Sequence, residues 1–216
     1  MIEQDASLPE VEEPPVDGAP IFGDDSWSKL LTFADMLRRD GEKLGLLGPR
    51  EYSRLWTRHI INSTVVSDFI SDDACVADVG SGAGFPGIVL ACIRDDIQLT
   101  LIDKMRRRTQ WLERVVNSLQ LSNVNVFTGR SLDFSPLFSF DVVTARAVAS
   151  VKSLLPLTVP LVKQGGHILA MKGQRVSEEI DEALPLLRKK AKAVDIHTCR
   201  PVGSTDDTYI LDVRVA

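Results

Sequence analysis

Hydrophobic positions change their spacing once along this chain. From Trp27 to Leu44, the residues Leu30, Leu31, Phe33, Ala34, Leu37 and Leu44 recur at near-helical intervals, which predicts an amphipathic helix with Ser26 as its N-cap. Gly45 and Gly48-Pro49 break that pattern, and a second amphipathic helix is predicted from about Arg50 to Ile70. Beyond Asp72-Asp73 short apolar runs alternate with helical stretches, the grammar of a parallel sheet covered by helices. Strands are predicted at Val76–Val79, Gln98–Ile102, Val124–Thr128, Phe140–Thr144, His167–Met171, Val194–Thr198 and Tyr209–Val215. Helices are predicted at Pro86–Arg94, Met105–Leu119, Val151–Val162 and Ser177–Lys190. The last two strands have no helix between them, only a loop with Pro201, Gly203, Ser204 and Asp206-Asp207, so they read as a hairpin-like pair. The expected fold is therefore α/β and Rossmann-like: a seven-stranded, mostly parallel sheet over 73–216 with helices on both faces, preceded by a helical extension over 26–72.

Charge alters the picture at one end. Residues 1–25 hold eight acids, Glu3, Asp5, Glu10, Glu12, Glu13, Asp17, Asp24 and Asp25, and no Lys or Arg. Without those eight the chain has 22 acids against 25 bases, so the net charge of -5 belongs to the leader and does not argue against a nucleic-acid partner. Pro9, Pro14, Pro15 and Pro20 with few large apolar residues predict that 1–25 is a disordered acidic tail. No apolar run reaches the roughly 20 residues that span a bilayer, and the acidic start lacks a basic n-region, so a cytoplasmic protein with no membrane partner is expected. Cys75, Cys92 and Cys199 share no CxxC spacing, which predicts neither a disulfide framework nor a metal site.

The chemistry points to the run Asp78-Val79-Gly80-Ser81-Gly82-Ala83-Gly84-Phe85-Pro86-Gly87, which follows a strand and opens a helix. Glycines there let the backbone turn tightly and a ligand approach closely, and Pro86 stands where a helix tolerates proline. Gly82 to Gly87 also matches the dinucleotide pattern G-x-G-x-x-G, with Asp103 at about the distance of a ribose-binding acid. Asp78 separates the two readings. A pyrophosphate on the turn would lie close to this acid, whereas S-adenosylmethionine brings a cationic sulfonium and an ammonium that a carboxylate favours. Asp103 would accept from the ribose hydroxyls. A nicotinamide dehydrogenase and a non-enzymatic RNA-binding module remain open alternatives on these residues alone.

Phe140-Asp141-Val142-Val143-Thr144-Ala145-Arg146-Ala147 carries neither the proline pair of exocyclic-amine methylation nor a nucleophilic cysteine. A ring nitrogen such as guanine N7 has an exposed lone pair and loses no proton on attack, so it needs no general base. Basic residues gather at Lys104, Arg106, Arg107 and Arg108, at Arg54 with Arg58 and His59, and at Lys172 with Arg175, where they can meet RNA phosphates. His59 reads equally as an RNA contact or as a satisfied structural histidine.

The string from Asp78 to Ile88, with Leu101-Ile102-Asp103, Ala145-Arg146-Ala147, Met171-Lys172-Gly173-Gln174 and Arg58-His59-Ile60-Ile61-Asn62-Ser63, closely resembles the bacterial ribosomal RNA small subunit methyltransferase G family, also called glucose-inhibited division protein B. The resemblance spans roughly 50–175. It implies a class I S-adenosylmethionine-dependent methyltransferase that modifies N7 of guanine 527, in the 530 loop of 16S rRNA, within the small subunit or an assembly intermediate. It implies cofactor contacts at Gly80, Phe85, Ser131-Leu132 and Arg146, to which the turn itself adds Asp78, Gly82 and Asp103. Arg146 and Lys172 are the candidates for orienting cofactor and RNA in catalysis. Arg58, His59, Lys104, Arg106, Arg107, Lys172 and Arg175 are the candidate RNA contacts, and a monomer is expected. Leu44-Gly45-Leu46-Leu47-Gly48 departs from the asparagine-leucine-threonine stretch typical of many members.

Overall fold

The computed structural model describes residues 11–216. Its strands are β1 (Cys75–Val79), β2 (Gln98–Asp103), β3 (Val124–Thr128), β4 (Phe140–Arg146), β5 (Val162–Lys172), β6 (Ala191–Cys199) and β7 (Thr208–Val215). They form one sheet in the order β3-β2-β1-β4-β5-β7-β6. The first five run parallel, and β7 lies antiparallel between β5 and β6. All seven predicted strands are present, and most differ at their ends by one or two residues. β5 starts five residues early because Val162 pairs with Phe140 ahead of a register shift at Gly165-Gly166, glycines that interrupt the apolar pattern. β6 starts three residues early, its first pair, Ala191 with Val215, lying beyond another shift.

Both faces are covered. Val76, Leu99, Leu101, Val142 and Leu169 point into one apolar cluster, and Ala77, Val79, Ile102, Val143 and Ile168 into the other. Strands buried on two sides read as continuous apolar runs rather than alternating ones, which is why short runs located them so well.

The N-terminal layer differs more from expectation. Helix α1 (Gly18–Phe22) precedes α2 (Asp24–Asp40), which starts two residues before the predicted cap. Gly23, at φ +80, occupies the N-cap position instead of Ser26, and Asp24 and Asp25 sit in the first turn, at the positive end of the helix dipole. The second predicted helix is one helical path of changing pitch over 49–69. Tight 3-10 turns (Pro49–Arg54) give way to wide π turns (Leu55–Ile60), then to α3 (Ile61–Thr64) and to 3-10 turns again (Val65–Phe69).

The expected disordered tail needs correction over its second half; residues 1–10 lie outside the described residues. Val11 packs on the core, and the Glu12 amide donates to the Tyr52 carbonyl at 3.0 Å. One oxygen of the Glu12 carboxylate accepts from the amides of Trp56 (2.8 Å) and Thr57 (2.9 Å) and from the Thr57 hydroxyl (3.3 Å). These bonds, and the burial of Phe22 and Trp27 against the core, offset the entropy that composition alone suggested would go unpaid.

Helices α4 (Gly87–Ile93), α5 (Arg106–Ser118), α6 (Val151–Thr158) and α7 (Val176–Lys190) complete the layers. The three cysteines are free, and burial pushes the Cys92 thiol up to about 12. Among the described residues no helix is long and apolar enough to cross a membrane.

Candidate functional site

Because β1 to β5 are parallel, their C-terminal ends share one edge, and the strand order reverses between β1 and β4. Open α/β sheets bind ligands at such a switch point. The sheet therefore brings Gly80, Asp103, Ser131, Arg146 and Lys172 to a single rim.

The glycine turn is shaped by contacts that exclude side chains. Gly80 and Gly82 have φ of +76 and +56. A Cβ on Gly80 would lie 2.7 Å from a Val148 methyl, and one on Gly87 would meet Leu101 and, at 2.7 Å, the Asp78 carboxylate. The turn is tied to β2 by Gly80 N to Ile102 O (2.8 Å) and is braced from α5 by the buried Trp111, whose indole N–H donates to the Ala83 carbonyl at 3.0 Å. Pro86 stands at the N-cap of α4, one position before the expected one.

Asp103 is the pivot of the β2 side. Its carboxylate accepts from Gly82 N (3.1 Å) and Met105 N (2.8 Å), and Arg108 approaches at 3.5 Å. The Nε of that same arginine is buried without a hydrogen-bond partner. A carboxylate offers about four lone-pair sites, so two amides and the long Arg108 contact leave one over, on a side chain that is itself only 3% exposed. Ser131, buried, and Leu132, 41% exposed, begin the short turn after β3. Gly129 N links that connection to the Asp103 carbonyl at 3.0 Å.

Asp78 does not occupy the place foreseen for it. It has no exposed surface. Its carboxyl instead accepts from Gly87 N and from the Thr144 hydroxyl, each at 3.2 Å, which pins the turn to α4 and β4. Burial pushes its pKa up to about 7, so near neutral pH much of the negative charge invoked to separate two cofactor classes is absent. The bonds of Asp78 shape the turn.

On the β4 side, Arg146 reaches back to the N-terminal layer. It donates to the carbonyls of Arg58 (2.7 Å) and His59 (3.2 Å) and to the Ser63 hydroxyl (3.1 Å), and it meets His59 Nδ1 at 3.1 Å. Its guanidinium lies 5.6 Å from the centre of the Phe85 ring. Burial, with Arg58 nearby, lowers its pKa to about 10. Phe85 is itself buried, packed against Phe33 and His59, so its ring serves the joint between turn and N-terminal layer.

Two expected RNA contacts are corrected. His59 is buried, bonds Glu51 through Nε2 at 2.7 Å, and is held neutral, its pKa pushed down to about 4 by burial and by Arg146. Lys172 donates to the Ala149 carbonyl (2.6 Å) and the Glu179 carboxylate (2.8 Å), with its side chain only 9% exposed. It ties the loop after β4 to α7, and Val148 of that loop covers Gly80. Glu179 is half-buried; partial burial pushes its pKa up, yet the Lys172 ammonium and the Val151 amide hold it below the usual range. By contrast Arg58, Lys104, Arg106, Arg107 and Arg175 present accessible surface. Glu12, Glu51, Ser63, Thr144 and Glu179 were not singled out from sequence. Their partners lie on other elements, apart from Glu51 and Ser63, whose spacing from His59 falls within an irregular helical path. Cavities of about 240 and 360 Å³ open elsewhere, around Phe138 with Lys189 and around Phe22 with Arg200, and neither is lined by the turn.

A family model described as rRNA small subunit methyltransferase G matches residues 26–201. Ribosomal RNA small subunit methyltransferase G of Clavibacter sepedonicus is 44% identical over 206 residues, 94% of this chain and 96% of that protein. The protein of the same name from Thermobifida fusca (strain YX) is 43% identical over 184 residues, covering 85% of this chain and 77% of its own length. Among solved structures, M. jannaschii TYW2 in complex with AdoMet is similar at a TM-score of 0.57 and 19% identity, over 74% of this chain and 77% of that one. A SAM-dependent methyltransferase from Aquifex aeolicus aligns at 0.53 and 18%, over 76% and 93%. These structural likenesses show the class I methyltransferase fold.

Proposed function

The chain belongs to the rRNA small subunit methyltransferase G family, and from that premise we propose that it methylates N7 of guanine 527, in the 530 loop of 16S rRNA. The substrate in this reading is the small subunit or an assembly intermediate of it, and the protein acts as a monomer. The observation that carries the reading is the pairing of a side-chain-free turn at Gly80 and Gly82 with Asp103, a fixed carboxylate that keeps acceptor capacity. That pairing fits S-adenosylmethionine, because the glycines admit a ligand against the backbone and Asp103 can take one ribose hydroxyl on its remaining site and a second in place of Arg108, which sits at a long 3.5 Å.

When bound, the cofactor supplies a methyl group on a positively charged sulfur. Gly80, Gly82 and Asp103 would hold it with that methyl open to the lone pair of guanine N7. No proton leaves N7, so the protein needs no base, and positioning supplies the acceleration. Arg146 keeps the rim rigid where β4 ends beside the turn. Arg58, Lys104, Arg106, Arg107 and Arg175 hold RNA phosphates, while Lys172 acts indirectly by fixing the loop at Ala149. The test is methylation of purified small subunits and of stripped 16S rRNA in parallel, with the modified base mapped. Methylation confined to N7 of guanine 527 is expected, and a product at another base or atom would overturn the assignment.

A further inference from the structure

Arg146 is a largely buried cation whose bonded neighbours are all uncharged. It donates to two carbonyls, a hydroxyl and an imidazole nitrogen, and no carboxylate of the described residues lies within ion-pair distance of it. A charge removed from water needs a counter-charge, and the hydrogen bonds point to one. A guanidinium has only donors, so His59 Nδ1 must accept from Arg146. The ring proton is then on Nε2, where it donates to the Glu51 carboxylate at 2.7 Å. We propose that Glu51 is a positioning residue for methyl transfer: by fixing the tautomer and orientation of His59, it holds the Arg146 guanidinium at the end of β4 over Phe85.

Three further observations favour this reading over a purely structural bond. The imidazole and the guanidinium pack on the same ring, at 5.3 and 5.6 Å from its centre, and that ring belongs to the glycine turn. Turning His59 would disturb all three groups together. Glu51 also faces outward, 3.6 Å from both Arg54 and Arg58, which are exposed. It therefore stands between candidate phosphate contacts and the buried pair. Lastly, the charged and titratable groups acting on Arg146 are Arg58, Glu51 and His59 from the N-terminal layer and Asp78 from β1. Of the two acids, Asp78 is committed to Gly87 and Thr144, which leaves Glu51, linked to Arg146 through the His59 ring, as the counter-charge.

The inference rests on the role given to Arg146 above, and the experiment separates the two. Glu51→Ala, Glu51→Gln, Arg146→Ala and the double Glu51→Ala/Arg146→Ala variants are assayed for kcat and KM on small subunits. The ring nitrogens of His59 are followed by 15N NMR in the wild type and both Glu51 variants. The wild type is expected to show a neutral His59 protonated at Nε2. Glu51→Ala should mix the tautomers and lower kcat by about tenfold or more, as loss of a charge-assisted bond implies. Glu51→Gln, whose amide oxygen still accepts from Nε2, should restore both the tautomer and most of the activity. The double variant should be no worse than Arg146→Ala. If Arg146→Ala is inactive while Glu51→Ala keeps full kcat, or if the two losses multiply, or if Glu51→Gln fails while His59 keeps its tautomer, the inference is overturned and the role of Arg146 survives. Full activity in Arg146→Ala would overturn that role and the inference with it.

Discussion

On the β2 side of the glycine turn, Asp103 fixes two backbone amides, meets Arg108 at a long 3.5 Å and still has a lone pair to offer. On the β4 side, Arg146, His59 and Glu51 spend their polar atoms on one another and on the helical path at 49–69. Both sides are built from charged residues at strand ends or nearby, yet one keeps capacity for a ligand and the other uses its capacity inside the protein. The difference teaches that a polar residue on a binding rim is read from what its partners leave free, not from its charge. It also divides the labour: recognition sits on the side where the sheet supplies the partners, and rigidity on the side where a second layer does.

Arg146→Ala breaks the locked side most directly. It leaves the His59 carbonyl and the Ser63 hydroxyl without their donor in a partly buried place, so about 3 kcal/mol of stability should be lost, visible as a lower midpoint in urea unfolding. Should the midpoint stay put, the β4 side is no lock. Asp103→Ala tests the open side. Cofactor affinity measured by calorimetry should fall about ten- to a hundredfold, matching roughly 1.5–3 kcal/mol for bonds to a charged group, and an unchanged affinity would remove the contrast. A smaller effect comes from Glu12→Ala, which uncaps two amides of the wide turns and should cost about 1 kcal/mol, read as a modest drop in Tm.

The subtlest test concerns Asp78. Its folded pKa, about 7, lies above the ordinary value of 3.8, so the stability linked to its proton is full below 3.8 and is lost as pH rises through 7. His59 works in the opposite sense, its folded value near 4 lying below 6.5, so its contribution is lost as pH falls from 6.5 towards 4. In Asp78→Asn the first dependence disappears. The Tm deficit of this variant relative to wild type should shrink between pH 5 and pH 8, and a deficit constant with pH would show that the buried carboxyl does not titrate there.

The sheet was legible because β1, β2, β4 and the second half of β5 are largely buried and leave compact apolar runs, and the antiparallel β7 announced itself by the missing helix before it. The rim was legible as well, since residues that follow parallel strands must share an edge. What the sequence does not carry is where a side chain turns once it reaches that edge. Lys172 has the placement of an RNA contact, but its partner Glu179 comes into reach only when α7 folds back over the loop at Ala149. Asp78 looked like a carboxylate facing a ligand because nothing in the string shows that Thr144 and Gly87 close over it. The irregular pitch of 49–69 escaped notice because π and 3-10 turns leave the spacing of apolar positions close to helical.

Glu12 gives the acidic leader a bearing on the lifetime of the protein. Its carboxylate grips Trp56 and Thr57, and the very next residues, Arg58 and His59, offer their carbonyls to Arg146. A protease that nicked the chain just after Glu12 would spare every strand and every rim residue, yet it would slacken the four-residue segment that ends at the rim. Wear at the outermost part of the molecule thus passes to its chemical edge along a single short piece of backbone.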